Sequence, residues 1–278
     1  MSAGEQNPSN RGKINYYKNL TPDLAIFRVQ PADGQPVPDF EAGQFVALGL
    51  KPDGDSNIIY RPFSISSAPE EKRYFEFYIK SASEYLMSKF TRTLFKMSEG
   101  DILYWRNPAG TFTIEDEKAD GTPDTRRLVL VASGTGLAPF VSYILHLKSI
   151  NSKREVVLLH GAKYVQELGY FDMFENISAN DPNFKYLTTI SRPEHDLSRE
   201  WKGNVGRVET LLVDKDGSKS QLEKAVGERV TPENSFVHIC GYAGTIHVVI
   251  SILDPLGFVT NRNKRKDGSF DIKIETYI

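Results

Sequence analysis

The stretch Leu130-Val-Ala-Ser-Gly-Thr-Gly-Leu-Ala-Pro139 organises the second half of the chain. Residues 128–132 form an unbroken apolar run, the pattern of a parallel strand buried on both faces. The run passes directly into Gly134-Thr135-Gly136. A helix begins near Pro139, since proline suits a first turn in which its missing N–H would have no partner anyway. The same grammar recurs downstream. Apolar runs at 156–159, 186–190 and 236–239 alternate with helical patterns near 139–148, 171–177, 205–213 and 245–253. This is the signature of a doubly wound α/β domain with a parallel sheet, spanning 126–278. Ligands of such sheets sit at the carboxyl ends of the strands, where the strand order switches.

Upstream the period changes. Short β-type runs at 24–29, 44–50, 58–66, 74–80 and 102–106 are rich in Phe, Tyr, Val and Ile and are broken by Gly, Pro and Asp. One helical stretch, 85–96, interrupts them. Many short strands within about a hundred residues indicate a barrel or sandwich, here over 13–113. Residues 115–125 are polar and turn-rich and read as the linker. Residues 1–13 read as a floppy lead-in without the apolar centre of a secretory signal.

The 278 residues carry 34 basic and 36 acidic side chains, a net charge of −2. That balance argues against a dedicated nucleic-acid binder. The single cysteine, Cys240, excludes a disulfide framework, a four-cysteine zinc site and an iron–sulfur cluster held by this chain's own thiolates. No apolar run approaches the ~18 residues of a membrane span, so no membrane association and a cytoplasmic setting are expected. His146, His160, His195, His238 and His247 show no metal-ligand spacing, and no metal is expected. No Gly-x-Ser-x-Gly elbow is present for hydrolase chemistry.

Four places could carry chemistry. Gly134-Thr135-Gly136 lets a phosphate approach the backbone at a helix N-terminus, although a tight turn that merely needs glycine reads the same way. Arg61-Pro62-Phe63-Ser64 offers a guanidinium for a pyrophosphate, an aromatic for a flat ring and a hydroxyl for a ring heteroatom. A barrel strand with an arginine at its rim is the plainer alternative. Lys163, Arg192 and Arg207 fall at strand ends, where they suit an anion such as a 2′-phosphate; taken singly, each also reads as a solvated surface cation. His238-Ile-Cys240-Gly241 repeats strand into glycine turn, and Cys240 on its own reads as a small buried hydrophobe.

Taken together and in order, these motifs resemble the ferredoxin–NADP reductase superfamily, most closely its bacterial ferredoxin/flavodoxin–NADP reductases, from Gly12 to the end of the chain. Arg61-Pro62-Phe63-Ser64 resembles the family's Arg-x-Tyr-Ser flavin motif, and Gly134 to Pro139 its pyridine-nucleotide loop. Cys240-Gly241 resembles its Cys-Gly turn, and Glu275-Thr-Tyr277 its terminal Glu-x-aromatic. The resemblance implies an antiparallel FAD-binding β-barrel followed by an NADP-binding α/β domain. It implies FAD held by Arg61, Pro62, Phe63 and Ser64, by Tyr78, Ile79 and Lys80, and by Lys89, Phe90 and Thr91 after Ser88. Thr135 would touch both cofactors. Gly134, Gly136, Lys163, Ser191, Arg192, Arg207, Cys240 and Gly241 would hold NADP(H).

By the same resemblance, hydride passes between nicotinamide and flavin in the cleft between the domains. Single electrons then go to or from a ferredoxin or flavodoxin. Ser64, Cys240 and Glu275 would polarise the reacting edge, and Tyr277 would stack on the flavin as a gate that moves aside for nicotinamide. Three departures stand out: Phe63 replaces a tyrosine, Ser88 a glycine and Lys163 an arginine. A lysine lacks the bidentate fork of arginine at a phosphate. The basic run at 262–266 reads as a solvated loop or as a docking aid for an acidic partner. No obligate partner is implied, and a monomer is expected. The rival readings are an NAD(P)H reductase component of an oxygenase system, a free-flavin reductase, and a binding module that has lost its flavin.

Overall fold

The computed structural model describes residues 10–52, 54, 56–81, 88–198, 200–213 and 218–276. The chain divides into two units. One holds the chain up to Thr113 together with Val141–Ser149; the other holds Ile114–Phe140 and the chain from Ile150 onward.

Six strands build the first unit: β1 (Asn10–Thr21), β2 (Leu24–Pro31), β3 (Phe45–Leu50), β4 (Ile59–Ser64), β5 (Phe75–Lys80) and β6 (Ile102–Trp105). They pair antiparallel in the order β4-β3-β6-β1-β2-β5. The two ends of the row meet, because Ile65 bridges Phe77 and the Ser66 N–H donates to the Glu76 carbonyl at 2.8 Å. The sheet is therefore a barrel, which satisfies backbone groups that an open edge would leave unpaired. Alternate residues point inward, so Phe27, Phe75 and Phe77 fill the interior with Ile14, Leu48 and Trp105. Helix α1 (Lys89–Leu94) adds Phe90 and Leu94 to that core.

The second unit is a parallel sheet of β7 (Arg127–Ser133), β8 (Val156–Ala162), β9 (Phe184–Ile190), β10 (Asn204–Val205), β11 (Ser235–Gly241) and β12 (Ile272–Thr276). The strand order is β10-β9-β8-β7-β11-β12, so the progression reverses beside β7. Helices α2 (Ala138–Ser149), α3 (Phe171–Asn180), α4 (Gln221–Val226) and α5 (Ala243–Leu253) accompany the strands. Val129, Val131, Val157, Leu159, Val237 and Ile239 pack on one face against Leu222 of α4 and Ile246, Val249 and Leu253 of α5.

The sequence-based elements differ from the structure in four of the stretches they cover, and β12, α4 and most of β1 fall outside every expected element. The helix expected over 205–213 is a short edge strand followed by one 3-10 turn at Val208–Leu211. Gly206, at φ +130°, breaks any helix there, and the Thr210 hydroxyl bonds the Arg207 carbonyl at 2.6 Å. Asn10 to Lys13, expected as part of the lead-in, pair with β6 because Gly12 admits Trp105 and Val29 where a Cβ would collide. The expected linker 115–125 folds into a small hairpin bridged at Glu117 and Pro123, with Asp124 buried. Within the expected helix 85–96, residues 85–87 lie outside the described residues, and α1 covers Lys89–Leu94.

Candidate nucleotide and flavin sites

The site on the second unit is built where β7 and β11 end side by side. Ala132 pairs with Cys240, so Gly134 and Gly241 follow from adjacent strand ends. Gly134–Leu137 form one 3-10 turn that runs straight into α2, with Pro139 in its first turn. Gly136 permits this packing: a Cβ there would lie 2.1 Å from the Cys240 carbonyl oxygen. Gly134 has φ +57° and faces open space, its nearest neighbour being a Tyr242 ring carbon. Gly241, at φ +146°, lies so close to Ser133 that a Cβ would meet it at 2.9 Å. The Thr245 hydroxyl reaches the Ser133 hydroxyl at 3.4 Å and braces the two turns. The result is a glycine seat with half-buried Thr135 at its rim, which suits a pyrophosphate.

On the next strand over, Glu275 of β12 pairs with Cys240 of β11, and the Cys240 Sγ–H points at Glu275 Oε2 at 4.0 Å. The thiol is fully buried, while the carboxylate is half-buried. Tyr277 lies outside the described residues.

The expected cations gather at the carboxyl ends of β8, β9 and β10. The Ser191 and Arg192 N–H groups donate to the Ala162 and Lys163 carbonyls, both at 3.0 Å, which aligns those strand ends. Arg207 starts the 3-10 turn whose Val208 sits against Gly161 of β8. Lys163, Ser191, Arg192 and Arg207 are all exposed. Tyr164, which the sequence reading missed, receives a hydrogen bond from Arg192 Nη1 at 3.0 Å and lies 4.4 Å from the His195 ring. An aromatic directly after a strand-end lysine is the signal that could have found it.

A cleft of about 540 Å³ opens at the opposite, amino-terminal end of this sheet, lined by Arg126, Phe236, Lys264, Phe270 and Asp271 among others. Its arginine is already engaged: Arg126 bonds Asp124 at 2.6 Å and Asp271 at 2.8 Å. Those bonds outweigh the burial that would raise the Asp124 carboxyl and leave it below the usual range. The basic run is likewise partly internal, with Arg265 on Asp271 at 2.5 Å and Lys264 over the Phe270 ring. The carboxyl-terminal strand ends, by contrast, present free glycine backbone and exposed cations.

In the first unit, Arg61 and Pro62 are exposed on β4, and Arg61 Nη1 donates to the Tyr60 carbonyl at 2.8 Å. Phe63 stacks on Phe90 with ring centres 5.7 Å apart, so one of its faces belongs to the barrel core. Ser64 is buried. Tyr78 and Ile79 are buried on β5, and Lys80 lies 3.6 Å from Asp23. Phe90 is buried in the core, so only its backbone faces outward from α1. Ser88 caps α1 by accepting from the Thr91 N–H at 3.2 Å. Exposed Arg61 beside a half-open aromatic fits a flavin nucleotide.

Residues 11–114 match the model of the oxidoreductase FAD-binding domain, and residues 130–249 that of the oxidoreductase NAD-binding domain. A flavodoxin/ferredoxin–NADP reductase of Buchnera aphidicola is 27% identical over 86% of this chain and 88% of its own length. A ferredoxin–NADP reductase from Neisseria gonorrhoeae, solved with FAD and NADP, shares the fold at TM-score 0.76 and 23% identity, covering 96% of this chain and 98% of its own. The ferredoxin reductase in carbazole 1,9a-dioxygenase shares it at TM-score 0.68 and 18% identity, over 98% of this chain and 70% of that one. Among the described residues no helix is long and apolar enough to cross a membrane. With an FAD-binding barrel and an NAD-binding parallel sheet in this order, the chain belongs to the ferredoxin–NADP reductase family of flavin-dependent oxidoreductases.

Proposed function

We propose that this oxidoreductase works between NADP(H) and a one-electron carrier of the ferredoxin or flavodoxin type. The observation that carries the nucleotide choice is the cluster of exposed Lys163, Arg192 and Arg207 at the carboxyl ends of three neighbouring strands. A 2′-phosphate supplies the charge that such a cluster would recognise. The acceptor class is supported by the Buchnera relative.

When bound, FAD supplies the chemistry, exchanging a hydride with NADP(H) and passing electrons singly. Arg61 holds the flavin pyrophosphate, and Phe63, braced from behind by Phe90, offers its other face to the ring system. Lys89 and Thr91 at the start of α1, and β5 at Tyr78 to Lys80, line the remainder of that cofactor. Gly134, Thr135 and Gly136 seat the dinucleotide pyrophosphate. Lys163, Ser191, Arg192 and Arg207 grip its adenosine end. Cys240, its Sγ directed at Glu275, would with that carboxylate and Ser64 polarise the reacting edge. By the family resemblance, Tyr277 would act as a gate that moves aside for nicotinamide. We take the protein to act as a cytoplasmic monomer, the compartment being in keeping with a single cysteine that forms no disulfide.

The test is a visible absorption spectrum of the purified protein, then anaerobic titration with NADPH and with NADH. Flavin bands bleached far more readily by NADPH are expected. Equal bleaching by NADH would remove the NADP preference, and no flavin bands after incubation with FAD would overturn the reading. The likeness to the carbazole dioxygenase reductase favours a second reading, a reductase component of an oxygenase system. Turnover with purified ferredoxin, flavodoxin and free flavin as acceptors separates the two.

A further inference from the structure

Tyr242 is the first residue after the Cys240-Gly241 turn and is 61% exposed, the most exposed of the large hydrophobic side chains among the described residues. Exposure of one aromatic means little by itself. Its position carries more. Tyr242 occupies the N-cap of α5 with an extended backbone, yet its side chain makes no cap hydrogen bond. The ring instead reaches toward the neighbouring turn, with Cε2 3.8 Å from where a Cβ on Gly134 would stand. Apart from the residues that flank Gly134 in the chain, it is the neighbour the described residues bring within 4 Å of that point, so the ring forms a side wall above the glycine seat. The backbone that aims it is fixed, because Gly241 presses on Ser133 and the Thr245 hydroxyl bonds the Ser133 hydroxyl.

We infer that Tyr242 is a positioning residue for the dinucleotide, its ring packing against the nicotinamide-side ribose when the pyrophosphate is held over Gly134–Gly136. The inference rests on the nucleotide reading proposed above and adds a specificity element to the same site. A wall made by ring packing acts on the nicotinamide half of NADP and leaves the adenosine half, at Lys163, Arg192 and Arg207, untouched. The role is assigned to the ring and not the hydroxyl because the contact at the seat is made by the ring carbon Cε2.

The experiment compares Tyr242→Ala and Tyr242→Phe with the wild-type holoenzyme. NADP⁺ and 2′,5′-ADP binding are measured by calorimetry, and NADPH turnover is measured with ferricyanide. For Tyr242→Ala, loss of one aromatic contact face is expected to weaken NADP⁺ binding and raise KM for NADPH by roughly tenfold. Binding of 2′,5′-ADP, kcat and flavin content should stay within about twofold, which corresponds to less than half a kcal/mol. Tyr242→Phe should behave as wild type. Unchanged NADP⁺ binding in Tyr242→Ala overturns the inference, as does equal weakening of NADP⁺ and 2′,5′-ADP, which would mean a general disturbance of the unit. Loss in Tyr242→Phe overturns the packing role. If wild type binds neither NADP⁺ nor 2′,5′-ADP, the underlying nucleotide reading has failed, and that outcome is distinct from all of these.

Discussion

His160 lies in the middle of β8 with no exposure, its Nδ1 2.9 Å from the Tyr186 hydroxyl. Burial disfavours the imidazolium and pushes its pKa down to about 3. An unfolded chain protonates the same ring near pH 6.5, so between about pH 6.5 and 3 the unfolded state binds the extra proton. Stability is therefore present above pH 6.5 and is lost as the pH falls through that window. For one group the slope reaches about 1.4 kcal/mol per pH unit. Replacing His160 with Gln keeps a polar partner for Tyr186 but removes the titration. Urea unfolding at a series of pH values should show an acid limb flatter by up to that amount, and a slope equal to wild type would exclude the assignment. Residues of this kind were legible only in part. Cys240 and Glu275 stood out by motif, and their pairing across β11 and β12 follows from register. Tyr164 matches no motif, and only the alignment of strand ends brings it beside Arg192.

At the level of elements, the strand-to-helix junctions were the most readable part of the chain. An apolar run ending in glycine has few alternatives, and β7, β8, β9 and β11 each extend the expected run by only one to three residues at an end. The failures share a cause. β12 is short and ends in polar residues. β1 opens on Asn10-Arg-Gly-Lys13, polar residues around a glycine, which hides it behind a loop-like composition. Helix α4 is six residues long, yet Ser220-Gln-Leu-Glu223 closes a capping box that could have announced it. At the junction itself, Gly136→Ala should be far more damaging than Gly134→Ala. The first places a Cβ 2.1 Å from the backbone carbonyl oxygen of Cys240, which cannot yield without moving the strand end, and should cost about 3 kcal/mol or more, the upper end of overpacking. The second meets open space and carries only the left-handed backbone penalty, roughly 1–2 kcal/mol. Thermal unfolding should rank the two accordingly, with nucleotide binding lost in Gly136→Ala before flavin content. Equal melting temperatures would contradict the close packing of the β7 and β11 turns.

At the scale of the whole molecule, two units were readable because the hydrophobic period changes from two to strand-and-helix alternation. What a linear reading could not supply is that the first unit is discontinuous. Val141–Ser149, the larger part of α2, belongs with the barrel residues and not with the segment that surrounds it in sequence. Tyr143, fully buried, donates its hydroxyl to the Phe112 carbonyl at 2.8 Å and stacks near the Phe112 ring. It also fills the space beside Gly43, where a Cβ would meet its ring at 2.4 Å. His146 Nδ1 lies 2.7 Å from a Glu70 carboxylate oxygen, one of several bonds that together outweigh burial and hold that carboxyl below its usual range. A fragment ending at residue 113 keeps every strand of the barrel but loses the buried tyrosine and leaves the Phe112 carbonyl without that donor. Losing a buried aromatic of this size costs on the order of 3–5 kcal/mol, a large share of the stability of a domain of this length. Expressed alone, residues 1–113 should show no cooperative thermal transition by circular dichroism and should fail to retain FAD. The full chain should melt cooperatively and retain FAD. A fragment that melts cooperatively and stays yellow would show that the helix is dispensable to the barrel, and the barrel would then have to draw its stability from its own aromatic interior alone.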